Sequence, residues 1–143
     1  MSFAPYVSFS GNAREALTAY AAIFGASDLQ IMSFADAPEG QRPPGAETLV
    51  MHGQFTAGPG APFMGCDIPQ GWGEAGMGGS SVFHAAMDAA TARRVFDALA
   101  EGGQVMMDLA ATFWSPAFGM VTDRFGTRWM ISVATGQDGG GGQ

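Results

Sequence analysis

Five side chains carry most of the chemistry this sequence offers: His52, Gln54, Cys66, His84 and Arg128. They lie in the short runs "HGQF", "FMGC", "VFHAA" and "RWMIS". His52 suits a general base or a donor that orients a ligand. It equally suits a strand histidine hydrogen-bonded at a rim or a dimer contact. His84 reads as a pocket wall or interface residue, or as a displaced metal ligand if its strand shifts register. Two histidines that met would still make a weak metal site. Cys66 is a nucleophile only where a neighbour lowers its pKa; a buried, inert thiol is the plainer reading. Arg128 fits an anionic group through its planar fork, or a surface salt bridge with Asp123.

Strand alternation sorts these residues by face. Leu49, Met51 and Phe55 form an apolar set that would pack under a helix, which turns His52 and Gln54 the other way. Cys66 shares its phase with Met64. Phe83, Ala85 and Met87 are expected to face a helix, leaving Val82, His84 and Ala86 opposite. Trp129, Ile131 and Val133 are the helix-facing set of the last strand, leaving Arg128, Met130 and Ser132. His52, Gln54, Cys66, His84 and Arg128 are therefore expected to line one mostly apolar cavity with Met64, Met130, Phe9 and Trp114. Such a lining is usual for a small-molecule site. Trp114 and Trp72 fall in loops, where they would cover a ligand or bury in a dimer contact. Met107 and the remaining methionines are most simply core filler.

The bulk properties exclude several classes of function. The chain has 143 residues, a formal charge of -7 and 47% hydrophobic residues. That length fits one domain with its own core. All six basic residues are arginine, so lysine Schiff-base chemistry is out. An acidic chain without a basic stripe does not suit a nucleic-acid backbone. A single cysteine leaves no internal disulfide and no cysteine-rich zinc site. No apolar run is long enough to span a bilayer, and "MSFAPYVSFSG" does not read as a secretory leader, so a cytoplasmic protein is expected. There is no Gly-x-Ser-x-Gly elbow in a strand-turn-helix setting and no Gly-Lys-Ser/Thr phosphate loop. Nor does a Gly-rich turn follow a first parallel strand, where a nucleotide-like methyl donor would sit.

The elements that would position these residues fall in a repeated order. "SGNAREALTAYAAIFGAS" reads as a helix with Asn12 and Glu15 as a capping box, Leu17, Tyr20 and Phe24 on one face, and Gly25 at the end. "DAATARRVFDALAEGGQ" reads as a second, capped by Asp88 or Thr91, with Val95, Phe96 and Leu99 as its apolar stripe. Strands are expected over residues 6–10, 29–34, 48–55, 62–66, 81–87, 104–108, 119–122 and 128–133. The order is strand, helix, three strands, twice over. A shift of sixty-six residues places Gly53 on Gly119, Thr56 on Thr122, Gly60 on Gly126, Phe63 on Trp129 and Met64 on Met130. A shift of seventy-nine places Leu17 on Phe96 and Tyr20 on Leu99. These matches point to two copies of one βαβββ unit, spanning about residues 1–68 and 80–135 of a single domain. Residues 136–143 read as a disordered Gly-rich tail.

"PYVSFSGNAREALTAYAAIFG", "MSFADAP" and "TFWSPAFGMVTDRFGTRWMIS" together resemble the PhnB-like branch of the vicinal oxygen chelate superfamily. That superfamily also holds glyoxalase I, extradiol dioxygenases and bleomycin-resistance proteins. The resemblance runs from Ala4 to about Val133 and is most specific in the third segment. It implies an α+β fold in which two βαβββ modules form a curved mixed sheet around a central pocket. It also implies a homodimer. Metal-dependent members place His, Glu or Gln ligands on the first and fourth strands of each module. Carried over, those positions are Pro5, Met64, Val82 and Met130, and none offers a hard-metal ligand. The resemblance thus implies a module without a metal or other cofactor that binds a small, largely apolar molecule; charge and hydropathy argue separately against a nucleic-acid or membrane partner. The alternatives are a glyoxalase- or dioxygenase-like metalloenzyme with a relocated histidine site, and a dimeric interaction protein whose cavity is filled by its own side chains.

Overall fold

In each half of the chain, strands whose alternate residues are apolar lie against one amphipathic helix. The computed structural model describes residues 3–38, 40, 42–58, 60, 62–69 and 76–134. Trp72 and the C-terminal tail, residues 136–143, lie outside the described residues. Two compact units divide between Met77 and Gly78.

The first unit contains β1 (Tyr6–Phe9), α1 (Ala13–Phe24), β2 (Gln30–Ser33), a short 3₁₀ turn at Phe34–Asp36, β3 (Val50–Phe55) and β4 (Phe63–Asp67). Its strand order is β1-β4-β3-β2. The second contains β5 (Val82–Ala86), α2 (Ala89–Ala100), β6 (Gln104–Ala110), β7 (Phe118–Thr122) and β8 (Arg128–Val133). Its order, β5-β8-β7-β6, is the same. Within each sheet the first and last strands pair in parallel and the other pairings are antiparallel. The repeat read from residue spacing is therefore a repeat of topology.

Close approach of helix to sheet explains the matched glycines of the two halves. Gly53 in β3 lies directly under Leu17 of α1, and a Cβ there would collide with the Leu17 Cδ1 atom. Gly119 in β7 lies under Phe96 of α2, with an added Cβ only 2.7 Å from that ring. The pair that the shift of seventy-nine aligns, Leu17 and Phe96, thus presses on the pair that the shift of sixty-six aligns. Val7, Phe9, Leu17, Tyr20, Val50, Phe55 and Phe63 are buried on the helix side of the first sheet. Val95, Phe96, Leu99, Val121, Trp129 and Ile131 are buried in the second unit.

Two expectations change, and the structure chooses between the two caps expected for α2. Asn12 makes no side-chain cap; Asp67 from β4 does the work instead, its Oδ1 accepting the Gly11 and Ala13 N–H groups at 2.9 Å each. In α2 the cap is Asp88, which accepts the Thr91 N–H at 2.7 Å. At the start of β3 the buried residue is Val50 rather than Leu49 or Met51, while Phe55 is buried as expected. The pairing steps from Met32↔His52 to Ser33↔Val50, leaving Met51 as the extra residue of a bulge. A bulge reverses the face of everything beyond it.

Candidate functional site

Each sheet has one face under its helix and one open face. On the first sheet, Val7 and Phe9 of β1 go under α1, as do Gly53 and Phe55 of β3 and Phe63, Gly65 and Asp67 of β4. The open face is then built from two rows. One row runs Gln30, Gln54, Met64, Tyr6 across β2, β3, β4 and β1, by direct register. The other holds Met32 paired with His52 and Cys66 paired with Ser8. One step beyond the Gly53↔Gly65 pair, His52 stands opposite Cys66. Four of the residues singled out by sequence, His52, Gln54, Met64 and Cys66, are thus together on one surface.

A directed chain of hydrogen bonds runs from Tyr6 through His52 to Gln54. His52 Nε2 lies 2.9 Å from Gln54 Oε1, and with that oxygen as acceptor, Nε2 carries the ring proton. Nδ1 is then an acceptor, and the Tyr6 hydroxyl donates to it at 3.0 Å. The two rings are tilted against each other with centroids 5.6 Å apart. Burial first, and then the neighbouring Cys66 thiol, hold the Tyr6 phenol pKa above the ordinary tyrosine value. Among the described residues of β1–β4, the one charged side chain is Asp67, which is on the helix side. The open face is therefore uncharged although the chain is strongly acidic.

Tyr6 is the member that residue types alone did not single out. Its signal was available in "YVSF", where Tyr6 and Ser8 alternate with the apolar Val7 and Phe9. Phe9 is correspondingly moved out of the candidate lining. It is buried 6.4 Å from the Tyr20 ring centroid, on the helix side.

His84 is also moved. The parallel register pairs Val82 with Trp129, His84 with Ile131 and Ala86 with Val133, all on the α2 side. Ala86 is 2% exposed, whereas Phe83 is 58% exposed. Phe83 and Ala85 therefore share the open face with Met130 and Ser132, the reverse of the expected phase. "VFHAA" is apolar in both phases, so alternation did not distinguish them. Burial depresses the His84 imidazole pKa below its usual value.

The open face of the second sheet carries Phe83, Phe118, Met120, Met130 and Ser132, with Thr122 and Arg128 at one end. Trp114 packs edge-on to Phe118 at 5.5 Å. The Ser132 hydroxyl is tied to Ser115 Oγ at 2.9 Å, and Ser115 in turn donates to the Ala117 carbonyl at 2.7 Å. Arg128 donates to the Gly78 carbonyl. Asp123 accepts the Phe125 N–H, the Thr127 N–H and the Trp129 indole N–H.

The positions at which the superfamily carries metal ligands also shift by one residue in each first strand. The open-face partner of Met64 is Tyr6, not Pro5, whose carbonyl instead accepts the Met64 N–H. The partner of Met130 is Phe83, not Val82. A thioether and a phenyl ring on one sheet, and a thioether beside an already hydrogen-bonded phenol on the other, do not suit a hard divalent ion. Among the described residues, no three His, Cys, Asp or Glu side chains converge to hold a metal.

Two βαβββ modules of identical strand order place the protein in the vicinal oxygen chelate class. The chain belongs to the PhnB-like 3-demethylubiquinone-9 3-methyltransferase family, whose model matches residues 1–132. It is 38% identical to protein PA1353 from Pseudomonas aeruginosa, with a TM-score of 0.84 over 93% of this chain and 97% of that one. It is 32% identical to protein YjdN of Escherichia coli K12 over 96% of this chain and 98% of that protein. The PhnB protein from Bacillus cereus is 27% identical, with a TM-score of 0.74 over 94% of this chain and all of that chain. A glyoxalase/bleomycin resistance protein from Albidiferax ferrireducens, at 13% identity and a TM-score of 0.62, shares the fold alone.

Proposed function

We propose that the protein is a metal-free binding module whose first-sheet open face receives a small, neutral, largely apolar molecule. The observation that carries this reading is the uncharged surface of Met32, Met64 and Tyr6, crossed by the Tyr6–His52–Gln54 hydrogen-bond chain. Apolar area supplies affinity and a few fixed polar groups orient the ligand. Methionine adds an adaptable surface that suits flat or irregular shapes. The methyl transfer in the family's name calls for a nucleotide-like donor. In doubly wound folds such a donor sits at the first strand-helix turn; here the Asp67 carboxylate closes that turn.

A thermal-shift screen tests the proposal with matched neutral and anionic aromatic compounds. Neutral compounds should raise Tm, and a ligand at a hundred times its Kd adds about 2.7 kcal/mol. His52→Ala should weaken that gain. Elemental analysis after exposure to zinc, nickel, manganese and ferrous iron is the counter-test. A stoichiometric metal lost in His52→Ala would replace this reading with a metalloenzyme. We also propose a homodimer, supported by the exposed apolar side chains Val105, Met106 and Phe113. Sedimentation equilibrium should then return twice the 14.8 kDa chain mass, and a monomer at micromolar concentration would refute it.

A further inference from the structure

Gln54 stands in the middle of the uncharged face, with Gln30 directly across on β2 and Met64 directly across on β4. Its amide has two ends, and one is taken. Oε1 lies 2.9 Å from His52 Nε2, while Gln54 Nε2 has no partner among the described residues. The far side of the imidazole decides which end is taken. A phenol is a strong neutral donor and a bare imidazole nitrogen a strong neutral acceptor, so the Tyr6 hydroxyl donates to His52 Nδ1 at 3.0 Å. The Cys66 thiol competes poorly for that proton, because sulfur is a weak acceptor. A neutral imidazole that accepts at Nδ1 carries its own proton on Nε2, and that proton calls for an oxygen. His52 therefore holds Gln54 by Oε1 and leaves both Nε2–H donors for a ligand.

We propose that Gln54 determines the specificity of this face, and that the molecule it selects is a neutral carbonyl compound, a ketone or an amide, whose oxygen accepts from Gln54 Nε2. Tyr6 is a positioning residue that acts through His52. A molecule offering only an N–H would meet the amide donor against donor, which leaves two polar groups unsatisfied. A carboxylate would accept from the same amide, but β1–β4 place no arginine on this face. The net charge of -7 opposes an anion further, and a desolvated carboxylate without a partner charge is costly. A neutral carbonyl escapes both objections. Gln30, whose side chain makes no hydrogen bond among the described residues, can turn a second N–H to the same oxygen, which has two lone pairs. Met64 beside Gln54 and Met32 beside His52 supply adaptable apolar contact for the rest of the molecule.

This assignment rests on the binding reading of the face, and three bicyclic probes of nearly one shape keep the two apart. 1-Indanone carries an acceptor, indole a donor, and indane neither. Each is titrated into the 15N-labelled full chain and followed at the Gln54 side-chain amide and the backbone of β3 and β4. With wild type, 1-indanone should bind about fivefold tighter than indane, the worth of one neutral hydrogen bond, and tighter than indole. It should also move the Gln54 Nε2–H protons downfield. Gln54→Glu keeps an oxygen for the His52 Nε2–H and removes the donors. In that variant 1-indanone should fall to the level of indane, and indole should rise above both. Tyr6→Phe keeps the ring but leaves Nδ1 without its donor, so the ketone preference should shrink while indane binding is unchanged. The imidazole 15N shifts of neutral wild type should report His52 as the Nε2–H tautomer. An Nδ1–H tautomer, or a Gln54→Glu protein that still prefers 1-indanone, overturns the proposal, and a full preference in Tyr6→Phe overturns the positioning role. Equal binding of all three probes to wild type also overturns the proposal but leaves the binding reading standing; no binding of any probe removes both.

Discussion

Replacing Asp67 tests how the first unit is held together. This carboxylate is 2% exposed. Its Oδ1 accepts from Gly11 N and Ala13 N, and its Oδ2 from Val50 N, all at 2.9 Å. It thus joins β4 to the start of α1 and to the start of β3. Asp67→Ala leaves three amides without an acceptor. A buried group left unsatisfied costs about 1–3 kcal/mol. With the partly exposed Gly11 amide counted at the low end, the sum is about 3–7 kcal/mol. Asp67→Asn keeps the oxygen for Gly11 and Ala13 but turns an amide N–H₂ toward Val50 N–H, one donor against another, for about 2 kcal/mol. Asp88 caps α2 at the surface through a single bond, so Asp88→Ala should cost only about 1 kcal/mol. Urea unfolding measures the series through midpoints at constant m. The expected order of stability is wild type, Asp88→Ala, Asp67→Asn, Asp67→Ala. An Asp67→Ala protein within about 1 kcal/mol of wild type would refute the reasoning, and so would an asparagine variant less stable than the alanine one.

Two further perturbations follow from packing and from titration. Gly119→Ala puts a Cβ 2.7 Å from Phe96 and 3.0 Å from the Leu109 and Met107 backbones, which cannot swing away. Overpacking of this kind costs about 1–3 kcal/mol. Gly53→Ala meets the movable tip of Leu17, so it should be the milder of the two in a thermal melt; equal losses would contradict this. For His84, burial lowers the folded pKa, so the unfolded chain binds the proton more readily. Its contribution is fully present above the unfolded value of about 6.5. Stability is lost as pH falls below that value toward the folded pKa, at no more than about 1.4 kcal/mol per pH unit. Comparing urea midpoints of wild type and His84→Gln across that window checks it: the variant should show the shallower dependence, and parallel curves would sink the argument.

Sequence legibility differed from strand to strand for physical reasons. In β3 and β4 one phase carries Gly53, Phe55, Phe63 and Gly65, and the other carries His52, Gln54, Met64 and Cys66. That contrast made the open face of the first sheet readable before any coordinates. In β5 both phases are apolar, and the parallel register with β8 decides the face. His84 was therefore misplaced, and Val82 with it. The bulge at Met51 hid Val50, because an inserted residue is invisible to a strict alternation. Asp67 ends an apolar strand in phase with Phe63 and Gly65, which marks it as an inward acid. Its three donors, however, come from segments remote in sequence. The repeat was legible because it resides in glycines whose space a helix side chain occupies.

The parallel pairing of β1 with β4 also governs timing. β1 precedes the other strands of its unit, yet its one neighbour in the sheet is the last strand of that unit. Until Phe63–Asp67 exists, Tyr6–Phe9 has no ladder to join, and Asp67 is not there to hold the first turn of α1. Long-range closure of this kind is slow, because loop entropy must be overcome before the contact rewards it. On a growing chain the first unit therefore waits with a bare apolar strand, then closes in one step when β4 arrives. The second unit repeats the delay with β5 and β8. Pulse-labelled hydrogen exchange during refolding should show the amides of Met64 in β4 and of Ile68 just after it, which bond to the Pro5 and Phe9 carbonyls, gaining protection no earlier than the β3–β4 hairpin.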